Sequence, residues 1–485
     1  MTHLQSSPAS LDVQLLIDGV WRPGADRVAL PITNPATARQ IGQVACAADA
    51  DLHEAVTAAA RGFAEWRAIP AFDRSRVLRR AAQLLRERSA AIGSILTLEQ
   101  GKPLAQAIHE VSGSADSIDW FAEEGKRAFG QVIPGRKAHT NVLTRLEPVG
   151  PVAAFTPWNF PVSQSVKKLA AALAAGCSVV LKGSEDTPAS CAEMMRAFVD
   201  AGVPRGALGL LYGNPAAISN FLVPHPTIRA VSFTGSVPVG KLLAAQAGAH
   251  MKRLTMELGG HAPVIICEDA DLEMAAASLL RMKFMNAGQV CLAPTRFLVA
   301  RSVYLQFVEL FTRLTQALRV GDGHADGTEM GPLISQHRLQ AVAALVTDAV
   351  GRGARLACGG VRMEGPGFFY APTILADVPL NARAMNEEPF GPLALMRPFD
   401  DLEEALLEAN RLPYGLAAYV FTRSIRNEAL LTEHLEAGMI AVNQIFPSMI
   451  EAPFGGVKES GYGTEGGTRA IFNFLNEKMI SRYVG

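Results

Sequence analysis

Cysteine is sparse and scattered. The 485 residues hold six, and the two nearest in sequence, Cys177 and Cys191, stand 14 positions apart (191 − 177). Such spacing fits neither a disulfide framework nor a set of zinc ligands, so no metal site is expected. Long apolar runs are missing too. Nowhere do 18 apolar residues follow one another, and the first fourteen residues lack a basic start leading into an apolar stretch, so a cytoplasmic protein without membrane association is expected. Nor is there an excess of charge of one sign: 45 lysines and arginines face 46 acids, which gives no general pull toward nucleic acid. What is present is ample apolar material, 49% against 19% charged residues, in a chain too long for one ordinary core. Two to three domains follow as the expectation.

Along the chain, residues 15–45 read as short strands and turns broken by Pro23, Pro31 and Pro35. Helical spacing then runs from Asp49 to about Trp66, from Arg74 to Gln100 and from Leu104 to about Lys126, giving faces for packing rather than chemistry. A hairpin is expected in residues 127–148. From Val149 the pattern changes. Val152–Phe155, Ser178–Leu181, Leu208–Leu211 and Ala230–Phe233 are four short apolar runs separated by alanine-rich helical stretches, the signature of parallel strands buried on both faces. Ligands of such sheets bind at the carboxyl ends of the strands. Polar residues stand there: Thr156-Pro157-Trp158-Asn159-Phe160-Pro161, Lys182-Gly183-Ser184-Glu185, and Thr234-Gly235-Ser236 running on to Gly240. The last opens a helix whose free amides suit a pyrophosphate. By contrast, Gly461-Tyr462-Gly463-Thr464-Glu465-Gly466 spells the dinucleotide fingerprint but follows no apolar strand and opens no long helix, and it reads as a loop.

Pro263–Ile266 begins another buried strand, and a helix over Leu272–Met285 leads to Asn286-Ala287-Gly288-Gln289-Val290-Cys291. A second α/β unit follows, with a strand at Phe297–Val299, helices over Val303–Arg319 and Ile334–Arg352, and a strand at Pro372–Leu375. A thiolate attacks carbonyl carbon well, yet a free thiol is only a few per cent ionised near neutral pH, so a working nucleophile needs help. Glu257, 34 positions earlier (291 − 257), is a candidate base. The plain alternative for any cysteine is packing as a small hydrophobe, and Cys46, Cys177, Cys191, Cys267 and Cys358 read that way. Cys291 stands apart because Gly288 permits close backbone approach and Asn286 and Gln289 bring polar groups beside it.

NAGQVC, together with MELGGHAP, TPWNFP, FTGS, NEEPFGP and PFGGVKESG in that register, resembles the aldehyde dehydrogenase superfamily from about Leu15 to Gly467. The wording GGHAP and APFGGVKESGYG is most similar to NAD(P)-dependent succinate-semialdehyde dehydrogenases. The resemblance implies an α/β fold of two parallel-sheet domains with a small β oligomerisation extension: residues 1–126 and 149–256 for a Rossmann-like NAD-binding domain, 257–455 for a catalytic domain, and 127–148 with 470–485 for strands joining a homodimer or homotetramer. It implies oxidation of a small-molecule aldehyde to the acid through a cysteine thiohemiacetal and thioester. Cys291 is then the nucleophile, Glu257 the base that activates water, and Asn159 with the Cys291 amide the donors to the oxyanion. Asn159 also reads simply as a turn former before Pro161, and Lys182 as a surface charge. To the cofactor the resemblance assigns Thr156, Trp158, Lys182, Glu185, Gly235, Ser236, Gly240, Glu388 and Phe390, and to the substrate pocket Phe160, Lys167, Met285 and Ser448.

Three departures from the succinate-semialdehyde pattern matter. Glu185 at the ribose position favours NAD over NADP, because a carboxylate accepts from a 2′-hydroxyl and repels a 2′-phosphate. Ala293 stands where some of those enzymes carry a second, redox-switching cysteine. Lys167 and Met285 replace the two arginines that hold the substrate carboxylate, so an apolar or aromatic aldehyde is expected ahead of succinate semialdehyde. Other readings are a cysteine hydrolase, which lacks a histidine in suitable context beyond His261; a coenzyme A-acylating enzyme, against which Glu257 argues; and a catalytically silent homologue.

Overall fold

The computed structural model describes residues 10–445 and 449–484. Helices α1 (Asp49–Ala68), α2 (Ala71–Glu87), α3 (Ser89–Gln100) and α4 (Leu104–Glu124) precede the first parallel strands. The single helix expected over Arg74–Gln100 is two, broken at Arg88, whose φ −97° and ψ 1° leave the helical region. The helices α5 (Pro161–Ala175), α6 (Pro188–Asp200), α7 (Pro215–Leu222) and α8 (Val237–Ala249) then alternate with strands.

The first sheet runs in the order Gly461–Tyr462, Arg253–Leu258, Ala230–Gly235, Val152–Phe155, Val179–Lys182, Leu208–Leu211, Leu15–Ile17 and Val20–Arg22. Its five central strands are parallel, as the four apolar runs led one to expect. Their side chains are buried on both faces, which explains why the runs show no alternation. One expectation fails here. Gly461 and Tyr462 are not loop but a short antiparallel edge strand on Glu257 and Met256. Gly461 adopts φ +111°, and a Cβ there would meet the Met256 carbonyl oxygen at 2.0 Å, so glycine is what lets this edge pair.

A second sheet runs Arg355–Cys358, Thr373–Ala376, Leu393–Phe399, Pro294–Ala300, Ala262–Ile266, Ala417–Phe421 and Met439–Val442, parallel except at its first edge. It is flanked by α9 (Leu272–Phe284), α10 (Arg301–Gln316) and α11 (Gln336–Gly351). The expected hairpin and tail form a third, antiparallel sheet, in which Thr140–Pro148 lies between Val132–Pro134 and Leu475–Tyr483. Among the described residues no helix is long and apolar enough to cross a membrane.

Helix α1 covers the first sheet closely because Gly62 faces the turn at Gly206 and Ala207; a Cβ at 62 would lie 2.1 Å from the Ala207 nitrogen. Backbone cannot swing aside as a side chain can. Gly62→Ala should therefore lower stability by about 1–3 kcal/mol, the usual cost of overpacking, read as a fall in Tm. An unchanged Tm would show that α1 slides without loss.

Candidate active site

The turn leading to the candidate nucleophile Cys291 is built from strain that its neighbours hold in place. Asn286 (φ 50°), Ala287 (φ 53°) and Gly288 (φ 72°) are three successive left-handed residues. Only the glycine adopts this conformation without cost; the other two pay of order 1 kcal/mol or more each. Gly288 also answers the expected close approach, since a Cβ there would sit 2.1 Å from the Gly391 carbonyl oxygen. The polar neighbours of Cys291 hold the turn. Asn286 N donates to Gln106 Oε1 at 3.1 Å, Gln289 Nε2 donates to the Asn286 carbonyl at 3.0 Å, and Gln289 Oε1 accepts from Ile334 N at 2.9 Å. Cys291 itself is half-buried with a free thiol, pushed up to about 12 by burial. Lys167's charge draws it down, while Glu388 and Glu257 add to the rise.

Asn159 reaches this turn from the other sheet. It follows the strand Val152–Phe155 just before α5, and its Nδ2 donates to the Gln289 carbonyl at 3.0 Å. Its own main-chain carbonyl accepts from Asn286 Nδ2 at 3.0 Å and from Lys102 Nζ at 2.8 Å.

Glu257 lies on Arg253–Leu258, between Thr234 of the next strand and Gly461 of the edge. It is 3% exposed, and neither carboxylate oxygen has a hydrogen-bond partner among the described residues. Burial, helped by the nearby charge of Glu465, holds its carboxyl well above the usual range, against the pull of Lys168 and Lys167. Glu465 and Lys168 were not legible beforehand as site residues. They form a buried ion pair behind Glu257, with Lys168 Nζ also donating to Thr234 Oγ1 at 2.7 Å. Glu465 lay inside the stretch read as a loop, 208 positions from Glu257 (465 − 257), and no spacing rule joins them.

The residues assigned to a cofactor line two regions. At one end Glu185 bridges two strand ends, accepting from Lys182 Nζ at 2.7 Å and from Gly213 N at 2.9 Å. They border a cavity of about 520 Å³ walled by Asp26, Cys46, Ala47, Glu185, Asp186 and Gly213, at the carboxyl ends of parallel strands. Its open volume and its acids suit a neutral adenosine-like group with hydroxyl donors. Toward Cys291, Glu388 Oε1 accepts from Gly260 N at 3.1 Å; burial pushes its carboxyl up to about 7, and Arg338 and Lys283 draw it down. Trp158 meets Phe390 edge to face at 5.5 Å, and Thr156 Oγ1 shares a 3.2 Å hydrogen bond with Ser165 Oγ. Ser236 precedes α8, whose N-terminus has no side-chain cap. Gly235 and Gly240 are small for packing reasons as well: a Cβ would strike Phe233 at 2.4 Å and Leu258 at 2.3 Å respectively.

In the candidate pocket, Phe160, Met285 and Leu292 pack on the edge of the second core. Lys167 Nζ sits over the Phe454 ring, 3.8 Å from its centre. Phe454 went unread as a pocket residue. Ser448 lies outside the described residues. His261 is buried, with Nδ1 2.6 Å from Thr295 Oγ1 and Nε2 2.9 Å from the Ala384 carbonyl; burial holds it well below its ordinary value, so it is a neutral structural histidine and no hydrolase base.

Residues 21–480 match the aldehyde dehydrogenase family. The chain belongs to that family. It is an oxidoreductase acting on aldehydes, and its cofactor is a nicotinamide dinucleotide. Among relatives of this aldehyde dehydrogenase, 4-(hydroxymethyl)benzenesulfonate dehydrogenase TsaD1 of Comamonas testosteroni is 49% identical over 96% of this chain and 97% of its own. Succinate-semialdehyde dehydrogenase [NADP(+)] GabD of Escherichia coli is 40% identical over the same shares. Of solved structures, an NADP-dependent enzyme of E. coli superposes with a TM-score of 0.95 at 40% identity, covering 97% of this chain and 98% of that one. The NAD+ complex of an aldehyde dehydrogenase from Bacillus cereus gives 0.95 at 34%, covering 98% and 97%.

Within this aldehyde dehydrogenase, Gly259 is what lets Glu388 approach the backbone: a Cβ there would lie 2.3 Å from Glu388 Oε2. Gly259→Ala should displace that carboxylate and raise KM for the dinucleotide on the order of tenfold, with KM for aldehyde little changed. Steady-state kinetics with each substrate varied checks this; an unchanged dinucleotide KM would detach Glu388 from the cofactor.

Proposed function

We propose that the enzyme oxidises an aromatic aldehyde, with Cys291, Glu257 and Asn159 as its catalytic residues. The observation that carries the substrate reading is the ammonium of Lys167 resting on the face of Phe454, where the succinate-semialdehyde pattern has a guanidinium. Phe160 and Met285, which pack on the edge of the second core, are the apolar residues assigned to the same pocket. A planar guanidinium grips a carboxylate with two parallel hydrogen bonds, and an ammonium does not. The 49% identity to an enzyme named for a benzenesulfonate supports an aromatic ring, with Lys167 as a single cationic contact for one anionic substituent at its far end.

Cys291 loses its thiol proton to solvent as Sγ attacks the carbonyl carbon, and the resulting thiohemiacetal oxygen accepts from Asn159 Nδ2 and the Cys291 amide. Removing one such donor costs on the order of 10²- to 10³-fold in rate. When bound, the nicotinamide supplies the hydride acceptor, leaving a thioester on Cys291. Lys182, Glu185 and the α8 N-terminus would hold one end of the dinucleotide, and Glu388, Phe390, Thr156 and Trp158 the other. The acids around the large cavity support NAD over NADP. Glu257 then takes a proton from the water that cleaves the thioester. Its unpartnered oxygens support that role, since a carboxylate tied up in an ion pair is a poor base. The fold is that of a cytoplasmic homo-oligomer on this reading, its third sheet presenting exposed Val132, Met479 and Tyr483 to a neighbouring subunit.

Because the Glu257 carboxyl is raised, it is protonated, and useless as a base, at pH values where an ordinary glutamate is ionised. Thioester hydrolysis should therefore speed up as pH climbs through that raised pKa. Glu257→Gln should remove this dependence and give a burst of reduced dinucleotide followed by a steady state slower by about 10²-fold or more. A steady-state rate that keeps its pH profile in the variant would mean another base.

For the substrate, kcat/KM should be at least about tenfold higher for benzaldehyde and 4-formylbenzenesulfonate than for succinate semialdehyde, a difference of about 1.4 kcal/mol. Hexanal separates ring recognition from mere apolarity, and running the panel with NAD and NADP tests the acids of the cavity. Met285→Arg should shift preference toward succinate semialdehyde. The opposite wild-type ratio would restore the succinate-semialdehyde reading.

A further inference from the structure

Helix α4 is expected from the sequence to be a packing element only, yet it and the connection leading into it touch the site at three points. Lys102, in the tight connection Gln100–Pro103 that feeds the helix, is fully enclosed, and its ammonium makes three contacts: Glu110 Oε2 at 2.5 Å, the Asn159 main-chain carbonyl at 2.8 Å and the Phe160 ring at 4.0 Å from its centre. Glu110 spends its other oxygen on the start of α5, accepting from Val162 N at 3.0 Å and Ser163 N at 3.2 Å. Gln106, one turn before Glu110 on the same face, accepts from Asn286 N in the nucleophile turn.

A buried ion pair is a poor way to stabilise a fold. Desolvating both charges consumes most of their attraction, and well-packed apolar residues of the same volume do as well or better. What charge adds is direction: an ammonium enclosed at 0% exposure must satisfy its hydrogens, and the only neutral oxygen it reaches among the described residues is that of Asn159. The connection bearing Lys102 is itself pinned to the second α/β unit, with Leu104 N donating to the Gly323 carbonyl at 2.9 Å and Gly331 lying where a Cβ would meet the Gly101 carbonyl oxygen at 2.0 Å. The ammonium is thus fixed relative to both sheets.

We propose that Lys102, held by Glu110, is a positioning residue that fixes the Asn159 amide against the nucleophile turn. This rests on the reading of Asn159 as the oxyanion donor. The lysine touches neither substrate nor reacting atoms; it acts through the Asn159 peptide, whose carbonyl it shares with Asn286.

The test is a double-mutant cycle between Lys102→Met and Asn159→Ala, read as the pre-steady-state rate of dinucleotide reduction with saturating benzaldehyde, alongside KM for NAD. Methionine keeps length and bulk without the charge. Lys102→Met should slow reduction about 10- to 100-fold and leave KM for NAD within about twofold, while Asn159→Ala slows it about 10²- to 10³-fold. In the Asn159→Ala background, Lys102→Met should cost little further, since the group it positions is gone. Equal costs in the two backgrounds would overturn the proposal while leaving Asn159 as donor. If Asn159→Ala leaves the reduction rate intact, the donor reading falls and this proposal with it. Should Lys102→Met not fold, Glu110→Gln, which keeps the shape and weakens the hold on the ammonium, takes its place in the same cycle under the same criteria.

Discussion

One hydrogen bond joins the two halves of the chemistry: Asn159 Nδ2 to the Gln289 carbonyl. Asn159 belongs to the first sheet and Gln289 to the turn that introduces the second, so the bond crosses from one α/β unit to the other. A primary amide has two N–H groups. Spending one on Gln289 fixes the plane of the amide and leaves the second free, so on the proposed reading the same contact that closes the two units together aims the donor at an oxygen on Cys291. The left-handed residues Asn286 and Ala287 make sense in this light. They are costly, and what holds them is a set of bonds to Gln106, to the Asn159 carbonyl and within the turn to Gln289, of which the first two would be lost if the units parted.

Electrostatically the site is quiet. The thiol of Cys291 and the carboxyls of Glu257 and Glu388 are all pushed toward their neutral forms by burial, and the charges of Glu388 and Glu257 further oppose ionisation of Cys291. The protein by itself thus does not store a thiolate beside a carboxylate. Lys167 draws down both Cys291 and Glu257, and Lys168, though already paired with Glu465, also favours the Glu257 anion.

Much of this was legible in the sequence, for definite reasons. The parallel strands announced themselves because burial on both faces removes alternation, and the polar residues at their carboxyl ends announced the cleft. Cys291 stood out because glycine and amides have no business around a packed thiol. Other features were hidden by the same physics. Glu110 lies among the buried residues of its helix, one turn after Gln106, and a single inward carboxylate does not disturb their apolar period. Glu465 comes to Glu257 through a two-residue edge strand that no propensity could separate from a glycine-rich loop. The break at Arg88 has no proline or glycine to mark it; only tertiary packing turns the chain there.

The pocket shows how a conservative-looking replacement alters what is recognised. Lys167 leans on Phe454, so an incoming anion meets an ammonium already steadied on an aromatic face, a contact worth about 0.5–2 kcal/mol before any substrate arrives. For a flexible aliphatic semialdehyde, pairing with that one point charge leaves several bonds to be frozen, at about 0.5 kcal/mol or more for each, and no second hydrogen bond to offset them. A rigid ring has almost nothing to freeze. It carries any anionic group at a fixed distance from the aldehyde and buries its faces against Phe160 and Met285 at about 25 cal/mol per Å². On the proposed reading, the same lysine that is too weak to replace two guanidinium groups for a carboxylate on a mobile tail is therefore sufficient for an anion held out by an aromatic ring, and the loss of the arginines becomes a means of selecting for shape.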